Sequence, residues 1–131
     1  MDRRHSLLNP SLIAIPLAVA GVVVAVAFAV LHAARIDADV ANARMLLVVA
    51  NLSSVDVSPG AEEPADLARY LPHMPVPSAY GAERRFAVYR RDGSFTVYAL
   101  ESETTGWRYD PATATFGGPE PLADAGEVVA S

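Results

Sequence analysis

Hydrophobic positions fall along the chain in three regimes. The first is an unbroken apolar run from Leu12 to Leu31, twenty residues counting Pro16 and Gly21. A helix of that length spans about 30 Å, the thickness of a bilayer's hydrocarbon core. The rest of the chain has too few apolar residues to surround such a helix, so the run predicts a membrane span rather than a buried core helix. The second regime has a helical period. Ile36, Val40, Ala43, Leu47 and Ala50 step by four, three, four and three, which is one face of an amphipathic helix. Asp37, Asp39, Asn42 and Arg44 are placed away from that face. No Gly or Pro lies between Leu31 and Asn51, so both regimes read as one helix from about Ser11 to about Leu52. Pro16 starts or kinks it, and Asn51 and Ser53-Ser54 are its stop signals.

The third regime alternates. Asp92-Gly93 is a favoured two-residue hairpin turn, and counting outward pairs Arg90 with Phe95, Val88 with Val97 and Phe86 with Ala99. Phe86, Val88, Phe95 and Val97 then share one face, and Arg85, Tyr89, Thr96 and Tyr98 the other. A second hairpin is predicted from Trp107-Arg108-Tyr109, a turn at residues 110–113, and Ala114-Thr115-Phe116. Between helix and hairpins, Ser58-Pro59-Gly60 opens a loop and Ala65 to Leu71 makes a short helix. Pro72, Pro75 and Pro77 then enforce an extended covering stretch around His73 and Met74. Gly117-Gly118-Pro119 is expected to end the regular structure. An isolated hairpin is marginal in water, and the helix face from Ile36 to Ala50 is the apolar stripe available to cover it. The expected fold class is α+β, a long N-terminal helix, transmembrane and then amphipathic, packed on a small antiparallel sheet. Its segments are a cytoplasmic N-terminus (1–10), a transmembrane helix (11–33), a globular domain (34–119) and a flexible acidic tail (120–131).

Charge sets orientation and excludes some functions. Arg3 and Arg4 precede the apolar run, whereas Arg35 is followed at once by Asp37 and Asp39. The positive-inside rule keeps the N-terminus in the cytoplasm and sends the C-terminal domain across. The run is longer than the apolar region of a cleaved signal peptide, and His32-Ala33-Ala34 is a weak cleavage site, so retention of the span is expected. All ten basic residues are Arg, and with the many Ala and Val this reads as the codon bias of a GC-rich bacterial genome. The expected location is therefore a bacterial inner membrane, crossed once, with the domain periplasmic or extracellular. From Arg35 onward eight Arg face fourteen Asp and Glu, a net of −6, which argues against binding nucleic acid. There is no Cys, hence no disulfide, thiolate metal site or Cys nucleophile.

Candidate chemistry is sparse. His5 and His32 belong to the N-terminus and the membrane edge, and His73 stands alone in its Pro-rich loop. Glu62-Glu63, and Glu101 with Glu103, read as solvated carboxylates, and Arg90-Arg91 as a salt-bridging surface of little energetic weight. No metal-ligand spacing, phosphate loop or nucleophile motif is present, so no enzyme activity and no cofactor or metal is expected. Two other sets carry the functional expectation. Ala14, Ala18, Gly21, Ala25 and Ala29 form a small-residue stripe of the kind that lets membrane helices approach closely, unless an Ala-rich helix shows it by chance. Tyr89, Tyr98, Trp107 and Tyr109 form a possible partner surface, unless they pack within a two-sided sheet.

A membrane helix that runs into an amphipathic helix, capped by a small antiparallel sheet, resembles type IV pilins and type II secretion pseudopilins. Leu12 to Leu52 is similar to the long pilin helix, and Leu67-Ala-Arg-Tyr-Leu-Pro-His-Met-Pro75 to the short helix and Pro-bearing loop that lead to the sheet. Phe95-Thr-Val-Tyr-Ala-Leu-Glu101 followed by Gly106-Trp-Arg-Tyr-Asp-Pro111 is similar to the family's strand pair. The departure is at the N-terminus, where prepilins carry a processing-site Gly and a Glu at the fifth mature position. Here the first Gly is Gly21 and the first Glu is Glu62, so no residue matches either. The resemblance implies a structural or interaction component of a bacterial envelope or secretion assembly, in contact with lipid and with itself or other envelope proteins. The alternative is a membrane-tethered accessory protein whose small β domain binds another envelope protein without forming a filament.

Overall fold

The structure is a computed structural model that describes residues 10–55, 67 and 70–131. One helix, α1 (Pro10–Val55), precedes five strands: β1 (Phe86–Arg91), β2 (Ser94–Leu100), β3 (Thr105–Asp110), β4 (Thr115–Pro121) and β5 (Glu127–Ala130). The strands form one antiparallel sheet in the order β4-β3-β2-β1-β5. The α+β class expected from the sequence is the one observed. By internal packing the chain divides into two units, Met1–Ala34 and Arg35–Ser131. The expected loop at Ser58-Pro59-Gly60, the N-terminal segment with Arg3, Arg4 and His5, and Glu62-Glu63 lie outside the described residues.

In the first unit α1 is apolar and bare. Its most apolar stretch reaches a mean hydropathy of 2.7 with none of its surface buried, and the helix is long enough to cross a membrane. Ile15, Leu17, Val22, Phe28 and Val30 are all more than half exposed. Pro16 lies inside the helix rather than at its start.

In the second unit α1 is the spine on which the sheet folds. Ala43, Leu46 and Ala50 pack with Phe86, Val88, Val97, Ala99, Tyr109 and Phe116 in one buried cluster. The buried face of the helix is Asp39, Ala43, Leu46, Ala50 and Ser53. That corrects the expected face, which ran through Val40 and Leu47. The helix is turned by roughly 60° from that reading, a little more than half of one residue's 100° step. Both faces contain Ala43 and Ala50, so the apolar period is compatible with either. The rotation is decided by Asp39, whose carboxylate has partners in the interior, as described below. Leu47, Val40 and Val49 flank the core and are partly buried. The last turns end in side chains that bond helix carbonyls: Asn51 Nδ2 to Leu47 (2.9 Å), Ser53 Oγ to Ala50 (2.8 Å) and Ser54 Oγ to Asn51 (2.8 Å). The buried Ser53 hydroxyl is satisfied in this way.

Both predicted hairpins form. The β1–β2 register pairs Phe86 with Ala99, Val88 with Val97 and Arg90 with Phe95, and Asp92 and Gly93 at its turn have φ of 52° and 80°. Positive φ at both central residues is what a tight right-twisted hairpin requires. In the second hairpin Tyr109 faces Phe116. Of the short helix expected at 65–71, the described part is a turn in which Leu67 is buried and its carbonyl accepts from Tyr70 (3.1 Å) and Leu71 (2.9 Å).

The C-terminus differs from expectation. β4 runs through Gly117-Gly118-Pro119 to Pro121, so these residues do not end the regular structure, and the expected flexible tail carries strand β5. The reason lies in β1. Phe86 and Val88 are buried on its helix-facing side and Ala87 and Tyr89 on the other, the pattern of a central strand that needs a neighbour on each edge. β5 supplies the second neighbour, pairing Tyr89 with Val128 and Arg90 with Glu127. Gly126 leads into it at φ 108°, where any Cβ would collide with the Arg90 carbonyl oxygen. Arg90 pairs with Glu127 (3.2 Å) and Arg91 Nη1 donates to the Asp124 carbonyl (2.8 Å). The far face of the sheet is closed by the same segment, which sets Leu122 and Ala125 against Ala87, Tyr89, Tyr98 and Leu100.

The burial of Leu46 gives a direct test of this packing. Leu46→Ala should lower the unfolding free energy of the chain in detergent by ~2–5 kcal/mol, with Leu47→Ala costing clearly less. Denaturant melts of the two variants check the order; a larger effect at Leu47 would restore the rotation read from the period alone.

Candidate functional site

The most strongly determined group of polar atoms in the second unit is centred on Asp39. Its side chain is fully buried, and both carboxylate oxygens accept from successive backbone N–H groups. Ser78 donates to Oδ1 at 2.6 Å, and Ala79 and Tyr80 donate to Oδ2 at 2.8 and 2.9 Å. Burying a carboxylate costs several kcal/mol unless it is hydrogen-bonded, and three short charge-assisted bonds offset that cost. Successive N–H groups converging on one point form the kind of concavity with which backbone holds free anions. Here α1 supplies the anion.

The clamp extends into an aromatic cluster. The Tyr80 ring lies 5.3 Å from the ring of Trp107 and 4.7 Å from that of Phe116, centroid to centroid. Tyr109 and Phe86 also contact Phe116, at 5.6 and 6.4 Å. Trp107 Nε1 donates to Glu101 Oε2 (3.1 Å), which also accepts from the Ala82 N–H (3.1 Å). Glu101 is thereby a structural acceptor, not a freely solvated carboxylate. The connection from Ser78 to Ala82 is held to the helix through Asp39 and to the sheet through Tyr80 and Glu101.

A second polar group lies on the opposite face of the sheet. Tyr98 Oη donates to Glu120 Oε1 (3.1 Å), and Arg108 Nε pairs with the same oxygen (3.1 Å). The Tyr98 ring meets Tyr89 edge-on at 5.3 Å. Burial, reinforced by the Glu120 carboxylate, pushes the Tyr98 hydroxyl up to about 12, against an opposing pull from Arg108. Burial also raises Tyr89, with Arg85 acting in the opposite direction.

Of the two alternatives left open for the aromatics, these contacts show packing within a two-sided sheet rather than an exposed partner surface. Tyr89, Tyr98 and Tyr109 are buried, and Trp107 is half-buried. Tyr109 and Trp107 belong to the helix-facing cluster, Tyr89 and Tyr98 to the far one, so the four do not form one patch. The sheet is apolar on both faces because each is covered from within the chain. By contrast Ala14, Ala18, Gly21, Ala25 and Ala29 are all exposed on α1, and nothing approaches a Cβ position at Gly21. His73 is exposed, and among the described residues no three His, Asp or Glu side chains come together as a metal site. Asp39 is the residue that reading the sequence missed. It falls four, seven and eleven residues before Ala43, Leu46 and Ala50, and that spacing is the signal that could have placed it inside. No protein-family model matches the chain, and neither does any curated protein or solved structure.

The raised Tyr98 hydroxyl implies a pH dependence. The folded state holds this proton more tightly than the unfolded chain, whose tyrosines titrate near 10. Its contribution to stability should be intact below pH 10 and lost as pH rises from 10 to about 12. Denaturant midpoints measured across that interval should fall, and Tyr98→Phe should remove most of the fall, leaving the smaller part due to Tyr89. A parallel decline in the variant would contradict the assignment.

Proposed function

We propose that this chain is a membrane-anchored, pilin-like structural component of a bacterial envelope assembly, acting through protein contacts rather than catalysis. The observation that carries this reading is α1 itself. Its first unit is a lipid-length apolar helix with no cover from the described residues, and its second unit forms the spine of a two-sided sheet. Lipid covers the bare half, since exposed apolar surface on this scale has no stable place in water. The flanking charges set the N-terminus in the cytoplasm and the sheet domain outside, in the periplasm or beyond it. The small-residue stripe from Ala14 to Ala29 is the membrane face along which subunits pack.

A second reading is favoured by one observation. The chain has no Gly or Glu where prepilins carry their processing site and fifth-position carboxylate, which fits an uncleaved tether that presents its sheet domain to another envelope protein.

Introduced cysteines separate the two readings cleanly because the chain has none of its own. Ala18→Cys and Ala25→Cys lie on the stripe. In native membranes the chain carrying both, with two thiols per copy, should cross-link into a ladder of species larger than a dimer. Protein that never exceeds a dimer would remove the filament reading and leave the tether.

A further inference from the structure

We propose that β5 is a latch: it opens from β1 on its own, about Gly126, while the rest of the sheet stays folded, and closed it keeps the edge of β1 from pairing with another chain. The other four strands each seat at least one buried side chain, and β5 seats none. Glu127 and Val128 are exposed, and Val129 and Ala130 are only half-buried against the helix-facing cluster. β5 has a single neighbour in the sheet, and its ladder is broken: Tyr89 faces Val128 and Val88 faces Ala130, which leaves Val129 without an opposite residue. Its ion pair, Arg90 with Glu127, lies at the surface, where such pairs are worth little.

The hinge is set by what holds the residues before it. The Leu122 N–H donates to the Thr104 carbonyl (2.9 Å) and the Ala125 N–H to the Leu122 carbonyl (3.0 Å). Both side chains are buried on the far face, and the Asp124 carbonyl accepts from Arg91. This turn is therefore fastened to the sheet independently of β5. Gly126 follows it at φ 108°, a conformation that costs Gly little, and is the point where the chain can swing.

What β5 covers is unlike β5 itself. Phe86, Ala87, Val88 and Tyr89 are all buried, so β1 is apolar on both faces. In the β1–β2 register the Leu100 N–H donates to the Arg85 carbonyl (2.8 Å), which makes the odd-numbered residues of β1 those that exchange bonds with β2. Val88 and Arg90 turn their N–H and C=O groups the other way, toward β5. With β5 displaced, an apolar strand would present unpaired backbone groups, the kind of edge to which other chains add. A firmly packed edge is closed by a strand that itself has little holding it, and segments with few buried contacts are those that open locally. The latch is independent of the filament and tether readings.

Amide hydrogen exchange on the full chain in detergent tests this within one strand, because the Val88 and Arg90 amides report β5 while those of Ala87 and Tyr89 report β2. Corrected for intrinsic rates, Val88 and Arg90 should exchange roughly tenfold or more faster than Ala87 and Tyr89, with a weaker dependence on denaturant. A Cβ at position 126 would collide with the Arg90 carbonyl oxygen, so Gly126→Ala should unseat β5 selectively. It should speed exchange at Val88 and Arg90 by about another tenfold and leave Ala87 and Tyr89 within about twofold of the native chain. One common rate and one denaturant dependence for all four amides in the native chain would overturn the proposal. So would an equal loss of protection at all four in Gly126→Ala.

Discussion

Asp39 brings a carboxylate into the interior on a helix, and three consecutive N–H groups from the segment before the sheet converge on it. The bonds run between residues about forty apart in sequence, so they fix two distant parts of the chain at once. They set which face of α1 turns inward, and so make Leu46 rather than Leu47 the core residue. They also hold Tyr80 where its ring can join Trp107 and Phe116. A hydrophobic stripe alone tolerates some rotation of a helix against a sheet. A buried carboxylate does not, because a turn of even one residue would strand its charge and three donors without partners.

The sheet is built to be covered on both faces. On one side α1 lies over Phe86, Val88, Val97 and Ala99; on the other, Leu122 and Ala125 lie over Tyr89, Tyr98 and Leu100. Its edges are blunt, since β5 has four residues and β4 carries Gly117, Gly118 and Pro119. Exposed apolar surface is concentrated on the helix. Its first unit is bare on every side, and its second retains the apolar line from Ala38 to Leu52.

Much of this fold was legible in the sequence because the relevant signals were local. Asp92-Gly93 set the register of the first hairpin to the residue, and the uncharged run set the bare helix. The rotation of α1 was not legible. Two apolar faces share Ala43 and Ala50, and the choice between them depended on a loop that places donors against Asp39. The tail was missed because its acidic composition concealed Glu127-Val-Val-Ala, a short strand that forms only because β1 has an open edge. Whether the tyrosines are exposed was left open for a related reason: alternation puts Tyr89 and Tyr98 on one face but does not show that residues 122–125 return to cover it. The candidate site suffered most, since a buried Asp in a helix is read by default as a solvated one.

The rotation of α1 depends on the Asp39 clamp, and amide hydrogen exchange at Ser78, Ala79 and Tyr80 tests it most directly. These residues lie in a connection without regular structure, and Ser78 is itself exposed. If Asp39 holds them, their amides should exchange slower than free-peptide rates by on the order of a thousandfold. That protection should collapse in Asp39→Ala while the β1–β2 amides keep most of theirs. Free-peptide exchange at all three amides in the native chain would contradict the clamp, and with it the reason given for the rotation of α1.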